Sequence, residues 1–243
     1  MQTPGIDAQE RLILALDLPS IDHARDMVAA LEGAVHFYKI GLALQLAPGV
    51  EEFIRLLIRE GKKVFLDYKY YDIGETLKKA VSRAAGLGVS FLTVHGPSAL
   101  IRSAVEGRGQ SDLKLFTVTV LTSLDIDDIR EMGYTRHTVE ELVRFRAGKA
   151  LEAGCDGVIA SGLEAQAIKE LSRGKLLVVT PGIREEESAA DDQKRRTTAR
   201  SAILAGADYL VIGRPITQAQ DPRAEAERTL RGMQAAFDEI TGG

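Results

Sequence analysis

Asparagine and tryptophan are absent from the 243 residues, and cysteine occurs once, at Cys155. A lone cysteine excludes an internal disulfide and any metal site built on clustered thiolates. Histidine is nearly as scarce. His23, His36, His95 and His137 show no metal-ligand spacing such as H-E-x-x-H, and His95, at the end of an apolar run, reads as a packed or hydrogen-bonding residue. No apolar run reaches the length of a membrane span, and Met1 to Gln9 lacks the basic-then-apolar plan of a signal peptide. A soluble, cytoplasmic protein is the expectation. An excess of positive charge is also missing: Lys and Arg total 31 against 35 Asp and Glu, for a net charge of −4. That balance argues against nucleic acid or an acidic membrane as partner. It leaves room for an anionic small substrate if positive charge is concentrated locally.

What the chain does have is alternation. Eight short aliphatic or β-branched runs occur at 12–16, 35–40, 64–66, 91–95, 115–121, 157–160, 176–180 and 209–212. Each is followed by apolar residues at i, i+3, i+4 and i+7, the helical period, over 21–31, 50–60, 77–87, 99–106, 138–153, 164–171, 199–205 and 223–240. Gly61, Gly88, Gly154, Gly174 and Gly206 stand where C-capping glycines close helices. Strands alternating with helices imply βαβ units on a parallel sheet, and eight units at this length predict a single-domain (β/α)8 barrel over 1–243, with 1–10 as lead-in. A doubly wound sheet is disfavoured, because no Gly-x-Gly-x-x-Gly turn follows the first strand. Loops lengthen at 123–137 and 183–198, and the polar second one fits a lid over a barrel site.

Active sites of such barrels lie at the C-terminal strand ends. Those positions hold Asp17 (strand 1), Lys39 and Gly41 (strand 2), Asp67 and Lys69 (strand 3), His95 (strand 4), and Thr122 and Ser123 (strand 5). Strand 6 ends at Ser161 and Gly162, strand 7 at Thr180 through Arg184, and strand 8 at Gly213 and Arg214. As an isolated motif, Asp67-x-Lys69 would be an exposed ion pair beside a helix cap, worth little. On one strand the two share a face, and with Asp17 and Lys39 on neighbouring strands they become a coupled array. Asp72 lies just beyond the strand. Gly213 and Arg214, after the last strand, suit a phosphate, since Gly permits close backbone approach and Arg offers a donor fork.

These residues resemble a known family. Ala15-Leu16-Asp17, Lys39-x-Gly41, D-x-K-x-x-D-I (Asp67, Lys69, Asp72, Ile73), residues 118–123, V-T-P-G-I-R (Val179 to Arg184) and I-G-R-P-I (Ile212 to Ile216) together look like the orotidine 5'-phosphate decarboxylases. The resemblance implies conversion of orotidine 5'-monophosphate to uridine 5'-monophosphate and CO2 in pyrimidine synthesis, with no cofactor or metal. It implies that Lys69 protonates C6 of the pyrimidine, that Asp67 faces the departing carboxylate, and that Lys39 holds Asp67 and contacts the ribose. Asp17 would bind ribose hydroxyls, Thr122 and Ser123 would lie near the base, and Arg184, Gln193, Gly213 and Arg214 would bind phosphate. It further implies a homodimer in which Asp72 and Thr76 act in the partner's site.

Two other readings remain open at this point. One is a related barrel that decarboxylates or cleaves sugar phosphates, of the keto-gulonate phosphate decarboxylase type, which shares D-x-K-x-x-D but binds magnesium. Lys39 would repel that metal. The other is a barrel that binds nucleotides without catalysis, against which the retained lysines and aspartates speak. Tyr68, Tyr70 and Tyr71 read as core or interface aromatics.

Overall fold

The computed structural model describes residues 6–184, 195 and 197–242. Eight parallel strands close into a barrel in chain order: β1 (Leu12–Ala15), β2 (Phe37–Gly41), β3 (Lys63–Tyr70), β4 (Phe91–Val94), β5 (Lys114–Val118), β6 (Gly157–Ile159), β7 (Leu177–Thr180) and β8 (Tyr209–Ile212). Closure comes from the pairing of β1 with β8, in the register Leu12↔Leu210 to Leu14↔Ile212. Helices α1 (Ile21–Ala30), α3 (Val50–Arg59), α4 (Gly74–Leu87), α5 (Ser98–Arg108), α7 (Val139–Glu152), α8 (Ala165–Ser172), α9 (Ala199–Leu204) and α11 (Pro222–Thr241) follow the strands in turn. Short helices α2 (Leu42–Gln45), α6 (Ile126–Glu131) and α10 (Arg214–Thr217) were not expected. The five predicted capping glycines all take positive φ, from 73° to 103°. None of the described helices is long and apolar enough to cross a membrane.

Two cores result. The larger, between sheet and helices, is aliphatic and draws on every helical layer. The smaller fills the barrel lumen with Phe37, Phe65, Phe91, Phe116 and Tyr209 among Ile13, Val179 and Val211. Phe91 is its hub, 4.8 Å from Phe37, 4.5 Å from Phe116 and 5.0 Å from Tyr209 between ring centroids. These separations suit offset and edge contacts. The lumen is therefore a solid plug, and the site must sit above it.

Three local departures matter. β3 runs to Tyr70 rather than Leu66, with a register shift against β4 between Leu66 and Tyr70. Its Lys69 takes φ +49°, a left-handed conformation unusual for a residue with a side chain. β5 ends at Val118; the Thr119 amide still donates to the Ile159 carbonyl at 3.1 Å, and residues 120–121 lie outside the ladder. The 123–137 loop contains α6, opened by a reciprocal capping box in which Asp125 accepts from the Asp128 amide at 3.2 Å and Asp128 accepts from the Asp125 amide at 2.8 Å. The lead-in is docked from Ile6 onward. Gln234 of α11 donates to the Ile6 carbonyl and accepts from the Ala8 amide, both at 2.9 Å.

Candidate active site

β1, β2 and β3 deliver the charged array through strand parity. On β3 the even residues Tyr68 and Tyr70 turn outward onto the aliphatic core, while Phe65, Asp67 and Lys69 turn inward. Lys39 is buried, and its Nζ lies 3.1 and 3.2 Å from the two carboxylate oxygens of Asp17 and 3.4 Å from Oδ2 of Asp67. Lys69 Nζ lies 2.9 Å from Oδ1 of Asp67. The chain of charge is thus Asp17, Lys39, Asp67, Lys69, alternating in sign. Each contact is worth roughly 4 kcal/mol at an effective dielectric of ~20, before desolvation is counted. Asp67 is the more deeply placed of the array's two acids. Burial alone would raise its pKa, but the charges of Lys39 and Lys69, with hydrogen bonds from Lys69 and Thr93, outweigh burial and hold it below the ordinary carboxylate value.

Thr93 was not anticipated, since a threonine inside an apolar strand reads as β-branched filler. Fully buried on β4, its hydroxyl donates to Oδ1 of Asp67 at 3.0 Å and accepts from the Lys69 amide at 2.9 Å. The hydroxyl thereby stabilises the left-handed turn that aims Lys69. Lys69 and Asp67 do meet, as the D-x-K spacing implied, but across a bulged strand rather than a regular pleat. Gly41 explains the third residue of Lys39-x-Gly41. A Cβ there would lie 2.9 Å from Oδ1 of Asp17 and 3.0 Å from Nζ of Lys39.

The array forms one wall of a cavity of about 450 Å³, ample for a small ligand. Its floor is the top of the lumen plug, where Ala15, Phe65, Val118, Ile159 and Val211 are exposed to it. The opposite end is cationic and turn-rich: Pro181, Gly182, Arg184, Gly213 and Arg214 line it, together with Thr217 and Gln218, which the sequence reading missed. Gly182 takes φ +76°, the left-handed position of a Pro-Gly turn, which lets the chain leave β7 sharply and bring Arg184 to the cavity.

Asp17, Lys39, Asp67, Lys69, Thr122, Arg184, Gly213 and Arg214 are therefore brought together in one cavity. Ser123 adjoins it without lining it. Gln193 and most of the 183–198 loop lie outside the described residues, although Ile183 pairs with Thr197 and the Arg184 amide donates to the Thr197 carbonyl at 3.0 Å, joining the two ends of that loop. Asp72 and Thr76 are exposed and do not line this cavity. Asp72 caps no helix; it accepts only the neighbouring Ile73 amide, at 2.6 Å, while Ile73 itself occupies the N-cap of α4. Tyr71 and Ile73 beside it are 65% and 71% exposed. His95 lies behind Lys69 with its ring against Tyr71, 5.8 Å between centroids. Burial, then the charges of Arg146 and Lys69, push its pKa down against a hydrogen bond at the Val118 backbone, so the ring is neutral at pH 7. Among the described residues no three His, Cys, Asp or Glu side chains group as metal ligands.

A parallel barrel with a desolvated, charge-alternating array at its strand C-termini and a cationic end across an apolar floor defines the class: a (β/α)8-barrel enzyme. A model of the orotidine 5'-phosphate decarboxylase / HUMPS family matches residues 10–229. The chain belongs to that family. An orotidine 5'-phosphate decarboxylase of Nitrobacter winogradskyi is 54% identical over 230 residues, covering 95% of each chain. One from Rhodopseudomonas palustris is 47% identical, covering 98% of this chain and 97% of its own. The crystal structure of orotidine 5'-phosphate decarboxylase from Lactobacillus acidophilus superposes with a TM-score of 0.80 at 35% identity, over 92% of this chain and 98% of that one.

Proposed function

We propose that the chain converts orotidine 5'-monophosphate to uridine 5'-monophosphate and CO2 in de novo pyrimidine biosynthesis, as a single cytoplasmic barrel domain. The observation that carries this reading is the Asp17–Lys39–Asp67–Lys69 array, with its ammonium groups within 3.4 Å of its carboxylates, facing a cationic end across an apolar floor. The phosphate is held by Arg184, Gly213 and Arg214, with Gln193 from the 183–198 loop. The ribose meets Asp17 and Lys39. The pyrimidine lies over the apolar floor near Thr122 and Ser123.

The chemistry follows from the charges. Breaking the bond between C6 and its carboxylate leaves an electron pair on C6 with little resonance help, and releases CO2. A cation must stand where that negative charge develops. Lys69 does so, then transfers a proton from Nζ to C6 and regains one from solvent. Asp67 is ionised throughout the working range and faces the departing carboxylate. Lys39 keeps it ionised. Because Lys39 and Lys69 together balance Asp17 and Asp67, those carboxylates are poorly suited to a divalent cation, which separates this reading from a magnesium-dependent sugar-phosphate lyase.

The protein acts as a homodimer in which each subunit places Asp72 and Thr76 in its partner's cavity. The exposure of Tyr71, Asp72 and Ile73, a polar and apolar patch that does not line this subunit's own cavity, supports this arrangement. The test is the loss of substrate absorbance on mixing with orotidine 5'-monophosphate, with and without EDTA. Turnover unaffected by chelator is expected. Turnover that requires magnesium, or none with this substrate, would refute the reading.

A further inference from the structure

One wall of the cavity is not held by the sheet. β5 stops at Val118, yet Val120, Leu121 and Thr122 beyond it line the cavity. All three consecutive carbonyls accept from one residue far downstream, and Leu121 O accepts from the Leu124 amide at 3.0 Å as well. Arg195 Nη2 donates to Val120 O at 2.8 Å and Leu121 O at 3.1 Å, and the Arg195 amide donates to Thr122 O at 3.1 Å. The Arg195 carbonyl in turn accepts from the buried Ser161 hydroxyl at 3.2 Å. The Arg195 side chain is 10% exposed and pairs with Glu164, 7% exposed, which stands just before α8. Neither side chain lines the cavity.

Stability alone is a poor reason for this arrangement. A buried ion pair seldom improves on apolar packing of the same volume, and burial pushes the Glu164 carboxyl up even with Arg195 beside it. What the pair supplies is location. Arg195 stands two residues after Gln193 and two before Thr197, the residue that joins the returning end of the 183–198 loop to Ile183 and Arg184. The same residue that holds the 120–122 wall, by its guanidinium at 120 and 121 and its amide at 122, therefore anchors the end of that loop.

We propose that Glu164 and Arg195 form a positioning pair that fixes the 120–122 wall and the returning end of the 183–198 loop to one buried point. The phosphate end and the base end of the cavity are thereby held at a set separation. The assignment of those two ends rests on the function proposed above.

The test pairs amide hydrogen exchange with steady-state kinetics in Glu164→Ala, Arg195→Ala, the double variant and Glu164→Gln, on the full-length protein. In Glu164→Ala, exchange across 118–124 is expected to rise at least about tenfold, although Glu164 lies outside that stretch. On orotidine 5'-monophosphate, kcat/KM per titrated active site is expected to fall about 10²-fold, the scale of a ~1 Å misplacement. The double variant should lose no more than the worse single one, because the pair acts as a unit. Glu164→Gln, which keeps the acceptor oxygen, should retain most activity, and it carries both measurements if an alanine variant does not fold. Unchanged exchange in 118–124 overturns the proposal. So does faster exchange with wild-type kcat/KM, which would make the pair structural only. If the wild type does not turn over this substrate, the proposed function fails, and the exchange measurement alone decides whether the clamp exists.

Discussion

Alanine at position 41 would put a methyl carbon 2.9 Å from Oδ1 of Asp17 and 3.0 Å from Nζ of Lys39. Comfortable contact begins near 3.5 Å, so both must give way by roughly 0.5 Å. Lys39 is buried and engaged by Asp67 at 3.4 Å, whereas the Asp17 side chain is half exposed, so Asp17 moves the more freely and Lys39 shifts with it. The backbone itself accepts alanine: Gly41 lies at φ −106°, ψ −167°, ordinary extended space. Alanine therefore contributes about 0.4–1 kcal/mol by restricting the unfolded chain. The weakened contact with a half-exposed carboxylate removes about 0–1 kcal/mol. These nearly cancel, and the melting temperature should stay within a few degrees of wild type. Activity should not be spared. Scaling from ~10² per ångström of misplacement, a shift of ~0.5 Å costs about tenfold in kcat/KM. Since Asp17 is assigned to the ribose, KM should carry more of the loss than kcat. The assay is substrate depletion at limiting orotidine 5'-monophosphate, with thermal melts on the same preparations. Wild-type kcat/KM would refute the reasoning, as would a loss accompanied by a large fall in melting temperature.

Other outcomes follow from the same geometry. Lys69→Ala should abolish turnover while the fold survives, and Lys69→Gly should melt above Lys69→Ala, because φ +49° costs an alanine about 1–2 kcal/mol that glycine avoids. A statistical mixture of Lys69→Ala and Asp72→Ala chains should recover about a quarter of wild-type activity, because half the dimers then hold one complete site out of two; no recovery on mixing would remove the shared-site assignment. His95 resists protonation in the folded state, so the unfolded chain takes up more protons once pH falls below the ordinary histidine value of about 6.5. Stability should accordingly be level above that pH and decline below it, and His95→Gln should flatten the decline in melts run from pH 8 to 5. Arg214→Ala should chiefly raise KM, as measured by the same depletion assay.

Most of the architecture was legible because it rests on local signals. β8 coincides with its expected span, and the barrel follows from counting βα units. The convergence of Asp17, Lys39, Asp67 and Lys69 was legible because closing a parallel barrel brings every strand's C-terminal end to one rim. Contacts between distant residues were not. Nothing in a run of aliphatic residues distinguishes Thr93 as the hydroxyl that fixes Asp67, and nothing near Glu164 announces Arg195. α6 could have been found, since Asp125-x-x-Asp128 is a capping signature, but the short helix lies within a polar loop. The bulge in β3 was hidden for a different reason. The D-x-K spacing is compatible with a flat strand, and only the pairing with β4 reveals that the strand is not flat.

That pairing has a wider consequence. From Leu66 to Tyr70 β3 advances four residues while β4 advances only from Leu92 to Val94. A closed cylinder has no free edge, but here it carries a short seam, bridged by a threonine hydroxyl instead of the main chain. Lys69 sits on the slack strand of that seam. Its reach is therefore set locally, by the backbone at 68–70 and the hydroxyl at 93, and this is where variation in the placement of the ammonium group is cheapest to accommodate.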